Sequence, residues 1–394
     1  MPAVNPEILT WARETAGLSL ERAADAIQLS AARGLSGAER LEALENSQGE
    51  PSRVLLRRMA EKYRRPLIVF YLKRPPDTGN RGEDFRRAPD APPLEYDPQL
   101  DALIRNVRAR HDLARSLLED EEASPLHFIG SHTMERGAPA VAESIRTTIG
   151  FELAEFRKAR DVKAAFSYLR GCLERQGIFV LLVGNLGSYH SNIPAATFRG
   201  YAIADAVAPF IVINDNDAHA AWSFTALHEA AHLWLGRTGI SGPSHEAGIE
   251  EFCNNVAGRL LLARDELQEL ADLRGLPLDD VLNRISPFAS ERNISCRMVA
   301  YQLLRANIID GVRYEEVCRR LHADWLESTA KAPDAARDNS GPNYYVVRRH
   351  RLGPALLNLA RRSLDGGVLT PTKAAQLLAV KPVSVHALLH HEPA

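Results

Sequence analysis

The most constraining feature of the sequence is the pentapeptide His228-Glu229-Ala230-Ala231-His232. Residues four positions apart lie on one face of an α-helix, about one turn from each other, so the two imidazoles can bind one metal ion. The glutamate between them can take a proton from a metal-bound water. This spacing predicts a catalytic Zn²⁺ site in which His228 and His232 are ligands and Glu229 is the general base.

The residues around the pentapeptide indicate a helix in the protein interior. Phe224, Leu227, Ala231 and Trp234 recur at helical spacing and form one apolar stripe, and Gly236 is a plausible end of the helix. The alternative is a core helix whose histidines are only hydrogen-bonded. A buried His-Glu-His cluster without a metal would leave polar groups that are expensive to satisfy, so the metal site is the favoured interpretation.

A catalytic zinc ion needs a third protein ligand and one open position. The apolar spacing predicts a second helix over residues 249–262, with Glu250 and Glu251 in its first turn. Adjacent helical residues point about 100° apart, so only one of the two glutamates can serve, and periodicity does not select it. Cys253 is a further candidate, although a lone cysteine on an apolar face is more often a small core residue. His245, on the connecting loop, could also reach the metal.

The composition is that of an ordinary globular protein, and it argues against several other classes of protein. Of 394 residues, 45% are hydrophobic and 25% charged, and the net charge of −2 gives no global basic field for nucleic acid. The four cysteines include no C-x-x-C pair, which favours a reducing compartment over a disulfide scaffold. No long apolar run opens the chain, so we expect neither a signal peptide nor a membrane partner, and a cytoplasmic location.

The order of the segments predicts an α+β fold that is mainly α. Three apolar, β-branched runs precede the His-Glu-His helix, at residues 178–183, 198–204 and 209–214. They predict a small sheet whose edge strand could align an extended peptide beside the metal. Residues 99–120 and 137–176 are predicted to be helical. A helix-turn-helix-like pair at 278–307 is interpreted as packing helices rather than as a DNA-binding unit.

The chain is predicted to contain several domains. The N-terminal bundle has the outline of a helix-turn-helix, with a helix beginning at Pro6, an end at Gly17 and a cap at Ser19. In the C-terminal region, a short strand or loop is expected to precede a helix from Leu356 to Leu364 and another from Pro371. The predicted boundaries are 1–75 for the helix-turn-helix domain, 76–98 for a linker, 99–330 for the metal-binding domain, 332–343 for a polar linker and 344–394 for a C-terminal helical region.

The sequence resembles the ImmA/IrrE family of zinc metallopeptidases, in the variant with an N-terminal XRE-like helix-turn-helix. The residues that carry the resemblance are Tyr63-Arg64-Arg65-Pro66-Leu67 with Phe70, Phe198-Arg199-Gly200, Ile213-Asn214, Phe224-Thr225 before the His-Glu-His motif, and Glu251, Asn254, Ala257, Leu260 and Leu261. The resemblance implies a minimal zincin-like peptidase domain.

The resemblance also implies a function and a third ligand. Proteins of this family are expected to be intracellular endopeptidases that cut a DNA-binding repressor and so derepress stress, prophage or mobile-element genes. The family's usual motif has glutamate three residues before the asparagine, here Asn254, which implies Glu251 rather than Glu250 as the third zinc ligand. The segment from Gln28 to Gly49 departs from the family, because it is expanded where a recognition helix should lie.

Two other functions remain open from the sequence. The first is a DNA-binding transcriptional regulator or antitoxin-like protein with a non-proteolytic zinc site, for which single- or double-stranded DNA would be a ligand or an activator. Its phosphate-binding surface would consist of Arg53, Arg57, Arg58, Lys62, Arg64 and Arg65. The second is a hydrolase that acts on a small amide. A peptidase also needs a second stabiliser of the oxyanion, for which the candidates are Tyr189, His190, Tyr201, His219 and His245.

Overall fold

The structure is a computed structural model that describes residues 4–76, 98–187, 191–238, 246–331 and 343–390. These residues divide into two compact units, one of residues 4–76 and 98–106 and one of the remaining residues from 107 onward. Helices dominate both, and one small sheet lies in the second, which confirms an α+β fold that is mainly α. None of the helices in the described ranges is long and apolar enough to cross a membrane.

The first unit contains a four-helix bundle. Its elements are α1 (Pro6–Glu14), α2 (Leu20–Ala26), α3 (Gly37–Glu45), α4 (Arg53–Lys62) and a 3-10 helix (Leu67–Tyr71). The core of the bundle is built from the apolar faces of these elements, including Ile8, Leu9, Leu41, Met59 and Phe70. The predicted cap at Ser19 is confirmed, since its side chain accepts a hydrogen bond from the amide of Arg22.

The segment between α2 and α3 is longer than in a simple helix-turn-helix. Residues 27–36 separate the two helices, whereas the usual motif turn has about three or four residues. Helix α3 begins with a capping box between Ser36 and Glu39 that the sequence interpretation missed. The XRE-like helix-turn-helix therefore stays a prediction.

Helices precede and surround the sheet of the second unit. Before the sheet come α5 (Pro98–Asp120), which belongs to this unit from Val107 onward, α6 (Ala138–Ile149), α7 (Leu153–Lys158) and α8 (Val162–Arg175). The helical prediction for 137–176 is confirmed, although this region forms three helices, α6, α7 and α8, rather than one. Helix α6 ends at Gly150, whose φ of 63° places it in the left-handed region that favours glycine.

The sheet has three short strands, all predicted from the sequence. They are β1 (Phe179–Leu182), β2 (Gly200–Ile203) and β3 (Phe210–Ile213), in the order β1-β3-β2. β3 is central, parallel to β1 and antiparallel to β2, and Gly200 lies opposite Ile213. β2 is consequently an edge strand of this sheet.

Helix α9 (His219–Trp234) carries the His-Glu-His motif through the middle of the second unit. Every residue from Trp222 to Trp234 is buried. The helix ends as predicted at Gly236, where φ is 64°. There the amide of Arg237 donates to the carbonyl of His232 at 2.9 Å and the amide of Gly236 to that of Leu233 at 3.0 Å, the pattern of a Schellman end. The last turn, which holds His232, is thereby fixed.

Helix α10 (Glu246–Leu261) packs against α9 and α6. The next helices in the chain, α11 (Leu278–Glu291), α12 (Cys296–Arg305) and α13 (Gly311–Lys331), pack against one another. The pair α11 and α12 buries Val281, Ile285, Val299 and Leu303 in the same core as α9. This burial supports the interpretation of residues 278–307 as packing helices.

The C-terminal region is helical from its first described residues. It consists of α14 (Tyr344–Leu352), α15 (Pro354–Asp365), α16 (Pro371–Leu377) and α17 (Val385–His390). The expectation of a short strand or loop at its start is wrong. The side chain of Asn343 accepts a hydrogen bond from the amide of Tyr345 and starts α14 there.

Candidate metal centre

The two histidines of α9 face each other in the protein interior. Their Nε2 atoms lie 3.1 Å apart, and the side chains of His228 and His232 are 1% and 3% exposed. A cation bound between the two imidazole nitrogens would account for their close approach. The predicted pairing of His228 with His232 through helical spacing is what the structure shows.

The third side chain in this volume belongs to Glu250. Its Oε2 lies 3.2 Å from Nε2 of His228, and its Oε1 lies 3.2 Å from Nε2 of His232. One ligand atom from each of the three side chains lies within 4.8 Å of the others, an arrangement that could hold a metal ion. The structure therefore brings together two histidines from α9 and one glutamate from α10.

The preference for Glu251 as the third ligand is corrected by this geometry. The carboxylate of Glu251 pairs with Arg305 of α12, and the side chain is 62% exposed. One residue along a helix rotates the side chain by about 100°, so Glu251 points away from the histidines when Glu250 points toward them. Glu250 was the other candidate that the periodicity left open.

The contact of Asn254 with His228 shows which face of α10 is turned toward the histidines. Its Oδ1 lies 3.1 Å from Nδ1 of His228, and it follows Glu250 by one helical turn on the same face of α10. Because the amide oxygen can only accept, Nδ1 of His228 carries the proton and Nε2 keeps its lone pair for a metal. The sequence interpretation relied instead on the three-residue spacing from Glu251 to Asn254.

Cys253 lies beside the site without joining the ligand set. The cysteine is fully buried, and burial raises the pKa of its thiol, an effect that the neighbouring His232 partly offsets. Burial also lowers the pKa of His232, but Cys253, Glu250 and Glu229 outweigh that effect and raise it well above its ordinary value. The surroundings of this ring therefore favour positive charge.

These donors fit a catalytic zinc ion. Two imidazole nitrogens and one carboxylate form a three-ligand set of the kind that leaves a fourth position for water or substrate. The hydrogen bond that Nδ1 of His228 donates to Oδ1 of Asn254 is the outer contact that commonly orients a metal-bound histidine. The donor chemistry therefore agrees with the Zn²⁺ predicted from the sequence.

Glu229 lies against the first residue of the edge strand β2. The glutamate is 2% exposed, and a Cβ atom added to Gly200 would lie 2.8 Å from its Oε1 and 2.6 Å from Cγ2 of Thr225. Only a residue without a side chain allows this close approach of strand and carboxylate. The sequence interpretation did not identify this role of Gly200, because the contact joins segments far apart in the chain.

The described oxyanion candidates do not reach the site. Since Gly200 faces α9, its neighbour Tyr201 points to the opposite face of β2, where the charges of Arg108 and Arg110 act on it. His219 begins α9 nine residues before His228, about 13 Å away along the helix axis, and packs edge-on against Trp222.

The other three oxyanion candidates, Tyr189, His190 and His245, lie outside the described residues.

The segment that holds this site resembles a family of metallopeptidases. Residues 176–304 match the sequence model of the family described as the IrrE N-terminal-like domain, Peptidase_M78. The matched segment covers roughly a third of the chain and includes the sheet, α9 and α10. The match supports the resemblance to the ImmA/IrrE family over this segment. No curated protein and no solved structure matched the chain.

Proposed function

We propose that the protein is a zinc-dependent endopeptidase. The observation that carries this proposal is the convergence of His228, His232 and Glu250 around one small volume, with Glu229 on the same helix. A zinc ion bound there would lower the pKa of a water molecule toward about 7 and polarise the scissile carbonyl. The match to a metallopeptidase family supports the same conclusion.

Glu229 is the general base in this proposal. Its buried carboxylate accepts the proton of the attacking water and later returns it to the leaving amine. Its contact with Gly200 holds one carboxylate oxygen beside the edge strand. Asn254 keeps the ring of His228 in the tautomer that binds the metal.

The substrate is proposed to be a polypeptide rather than a small amide. An extended peptide can add to a sheet edge through main-chain hydrogen bonds, and β2 is such an edge. Because Gly200 begins β2 and touches Glu229, a peptide aligned on this strand would pass close to the catalytic carboxylate. This contact supports cleavage within a chain.

We further propose that the polypeptide is a DNA-binding repressor, whose cleavage derepresses stress, prophage or mobile-element genes. The resemblance to the ImmA/IrrE family supports this substrate. The four cysteines are free thiols, which supports a reducing, cytoplasmic setting in which such a repressor is met. The N-terminal bundle would then recognise the repressor, or bind DNA and control cleavage.

A second candidate is a DNA-linked regulator that does not cleave protein. The exposed cations Arg53, Arg57 and Lys62 of α4 favour it. Two other cations of the predicted basic surface are used within the bundle, since Arg58 donates to the carbonyl of Ile27 and Arg65 to Oγ1 of Thr15. Binding that weakens steeply with added salt would support phosphate contacts by α4.

The test is co-expression of the chain with the repressors encoded beside its gene. The wild type is expected to cut one repressor, and a chelator or the Glu229→Gln substitution is expected to abolish the cut, with zinc retained in the substituted protein. Glu251→Gln is the matched control and should still cleave. Repressors that stay intact with wild-type protein, with and without DNA, would contradict the proposal and favour the regulator.

A further inference from the structure

Helices α16 and α17 have the arrangement of a helix-turn-helix. Helix α16 is followed by a four-residue turn, residues 378–381, and then by a 3-10 helix (Pro382–Ser384) that runs directly into α17. A connection of about three or four residues is typical of this motif, and its turn often contains glycine. Here Ala379 has a φ of 49°, in the left-handed region that glycine adopts more readily. Residues 371–390 are called here the C-terminal helix-turn-helix.

The two helices pack through an apolar inner face. The buried residues are small or branched, namely Ala374, Ala375 and Leu377 on α16, and Val385, Leu388 and Leu389 on α17. Small side chains at a helix contact allow the two axes to approach closely. Helix α15 packs against α16, and α14 packs against α17. The opposite side of α17 is consequently turned away from the core.

Arginine side chains fix both helices at their C-terminal ends. Nε of Arg110, on α5, donates to the carbonyl of Leu377 at 2.8 Å. Nη2 of Arg348, on α14, donates to two carbonyls of the turn at 2.9 and 2.7 Å, and Nη1 of Arg349 donates to the carbonyl of Leu388 at 2.6 Å. The last carbonyls of a helix have no partner within it, and cations are favourable at this end. These bonds hold the motif in one geometry before a ligand binds.

The outer face of the second helix is open to solvent. Its exposed residues are Lys381, Pro382, Val383, His386 and His390, and Val383 is 87% exposed. The rings of His386 and His390 lie side by side, with centroids 4.4 Å apart, because four residues make about one helical turn. In a DNA-binding helix-turn-helix, side chains at the start of the second helix contact base edges in the major groove. The exposed face lies at this position of the motif.

The pair α11 and α12 also has a short turn but lacks such a face. Its turn spans residues 292–295, and Asn293 there has a φ of 55°. Helix α12 packs against both α11 and α13, and of its residues Arg305 alone is exposed. A second helix covered in this way cannot enter a groove of DNA. The contrast separates a pair used for packing from the C-terminal helix-turn-helix, whose second helix is uncovered.

The charge of the C-terminal region favours a polyanionic partner. Residues 343–390 contain seven lysine or arginine residues and one acidic residue, a net charge of +6, whereas the whole chain has −2. Two of the arginines, on α14 and α15, form ion pairs with acidic residues of the second unit. Lys373 on α16 and Lys381 in the turn are exposed. Lysines in such positions can neutralise phosphates of a duplex and release its counterions.

We propose that the C-terminal helix-turn-helix binds double-stranded DNA, with residues 381–390 in the major groove. Lys373 and Lys381 contact phosphates, and Val383 contacts a base edge, where an apolar side chain can meet the methyl group of thymine. Duplex DNA is the partner because the major groove of duplex RNA is too narrow for side chains to read. This site is separate from the basic surface of α4 in the first unit, and it does not depend on the proposed endopeptidase function.

The first test measures binding of the full chain to a mixed-sequence DNA duplex of about two helical turns, roughly 20 base pairs. Fluorescence anisotropy is recorded over a range of salt concentrations, in the Glu229→Gln background so that cleavage plays no part. Lys381→Gln should weaken binding about 5- to 10-fold near 0.1 M salt and lower the salt slope by about one. Lys158→Gln, which removes an exposed lysine paired with Glu155 on α7, is the control and should change neither.

A second test examines base readout. Selection from random-sequence duplexes gives the preferred site, and its affinity is compared with that of the mixed duplex. Val383→Gln should reduce this preference by about 5- to 150-fold, the range of one base contact. Val312→Gln is the matched control, because Val312 is another exposed valine, on α13, and it should keep the preference.

Several outcomes would overturn the inference. They are no binding of the duplex at low salt, equal binding of duplex RNA, and binding that neither Lys381→Gln nor Val383→Gln changes. Binding lost with Arg57→Gln but not with Lys381→Gln would assign DNA to α4 instead. Circular dichroism shows that each substituted protein is folded. DNA binding by a chain that cuts no repressor would count against the endopeptidase and leave this inference standing.

Discussion

Two regions of the second unit bury ionisable side chains. In one region the side chains converge where a metal ion could bind, and in the other they pair with each other. One is the metal centre between α9 and α10, and the other is the pair of Arg170 and Glu174 on α8. The arginine and glutamate are 6% and 5% exposed, and Nε of Arg170 lies 2.9 Å from Oε1 of Glu174. The metal centre is buried to a similar degree at its two histidines.

The α8 pair is satisfied by the protein itself. Arg170 also donates to the carbonyls of Val180 and His350, and Glu174 accepts from the amide of Ala355 at 3.0 Å. Opposite charges and complementary hydrogen bonds make this pair a structural connection between α8, β1 and the C-terminal helices. No ligand is required to account for it.

The metal centre has a different composition. Its inward-facing atoms are two imidazole nitrogens and a carboxylate, all within 4.8 Å. These are electron-pair donors, which a cation can bridge. The comparison teaches that burial of charge alone does not mark a functional site. Convergence of several electron-pair donors does mark a functional site, because a bound cation is then needed to offset their mutual repulsion.

The largest effect is expected from Arg170→Met in the α8 pair. The substitution leaves the buried carboxylate of Glu174 without its cation, which typically costs about 3–5 kcal/mol. Chemical denaturation should show this loss of the free energy of unfolding, while the folded protein still binds one zinc ion. A loss below about 1 kcal/mol would show that the α8 pair is not the structural connection described here.

A smaller effect, confined to catalysis, is expected from Gly200→Ala. The new Cβ would lie 2.8 Å from Oε1 of Glu229, so the carboxylate or the strand must move. A displacement near 1 Å in an active site can lower the rate up to about 100-fold. Steady-state kinetics should show a fall in kcat, with zinc content unchanged. A normal kcat in a folded Gly200→Ala protein would contradict the proposed role of the contact between β2 and the catalytic base.

Asn254→Ala should weaken the metal centre without unfolding the protein. Loss of the acceptor for Nδ1 of His228 frees the ring to rotate and to change its tautomer. Outer contacts of this kind are worth about 10- to 100-fold in metal affinity. Competition with a zinc chelator measures the affinity, and thermal unfolding of the zinc-loaded protein provides the control. Unchanged affinity would mean that Asn254 does not orient the ligand.

Local features of the sequence were sufficient to predict most of the elements that build the site. The histidines share a face because four residues make about one helical turn, and Gly236 ends α9 because glycine readily adopts positive φ. The three strands followed from short apolar, β-branched runs. These predictions depend only on residues close in the chain.

The features that were missed depend on contacts between distant segments. Choosing Glu250 over Glu251 requires the rotation of α10 against α9, which is set by packing and by the bond between Asn254 and His228. The closeness of Gly200 to Glu229 depends on how β2 lies across α9. Helix α14 was missed because its cap at Asn343 follows a polar linker that carries little periodicity.

The most direct test of the account is the zinc content and zinc affinity of Glu250→Gln beside Glu251→Gln. The two residues are neighbours on α10, so the pair controls for changes in charge and helix propensity. We expect Glu250→Gln to lose zinc or to bind it far more weakly, and Glu251→Gln to bind it as the wild type does. Equal zinc binding by both proteins, or loss of zinc from Glu251→Gln alone, would contradict the metal centre described here.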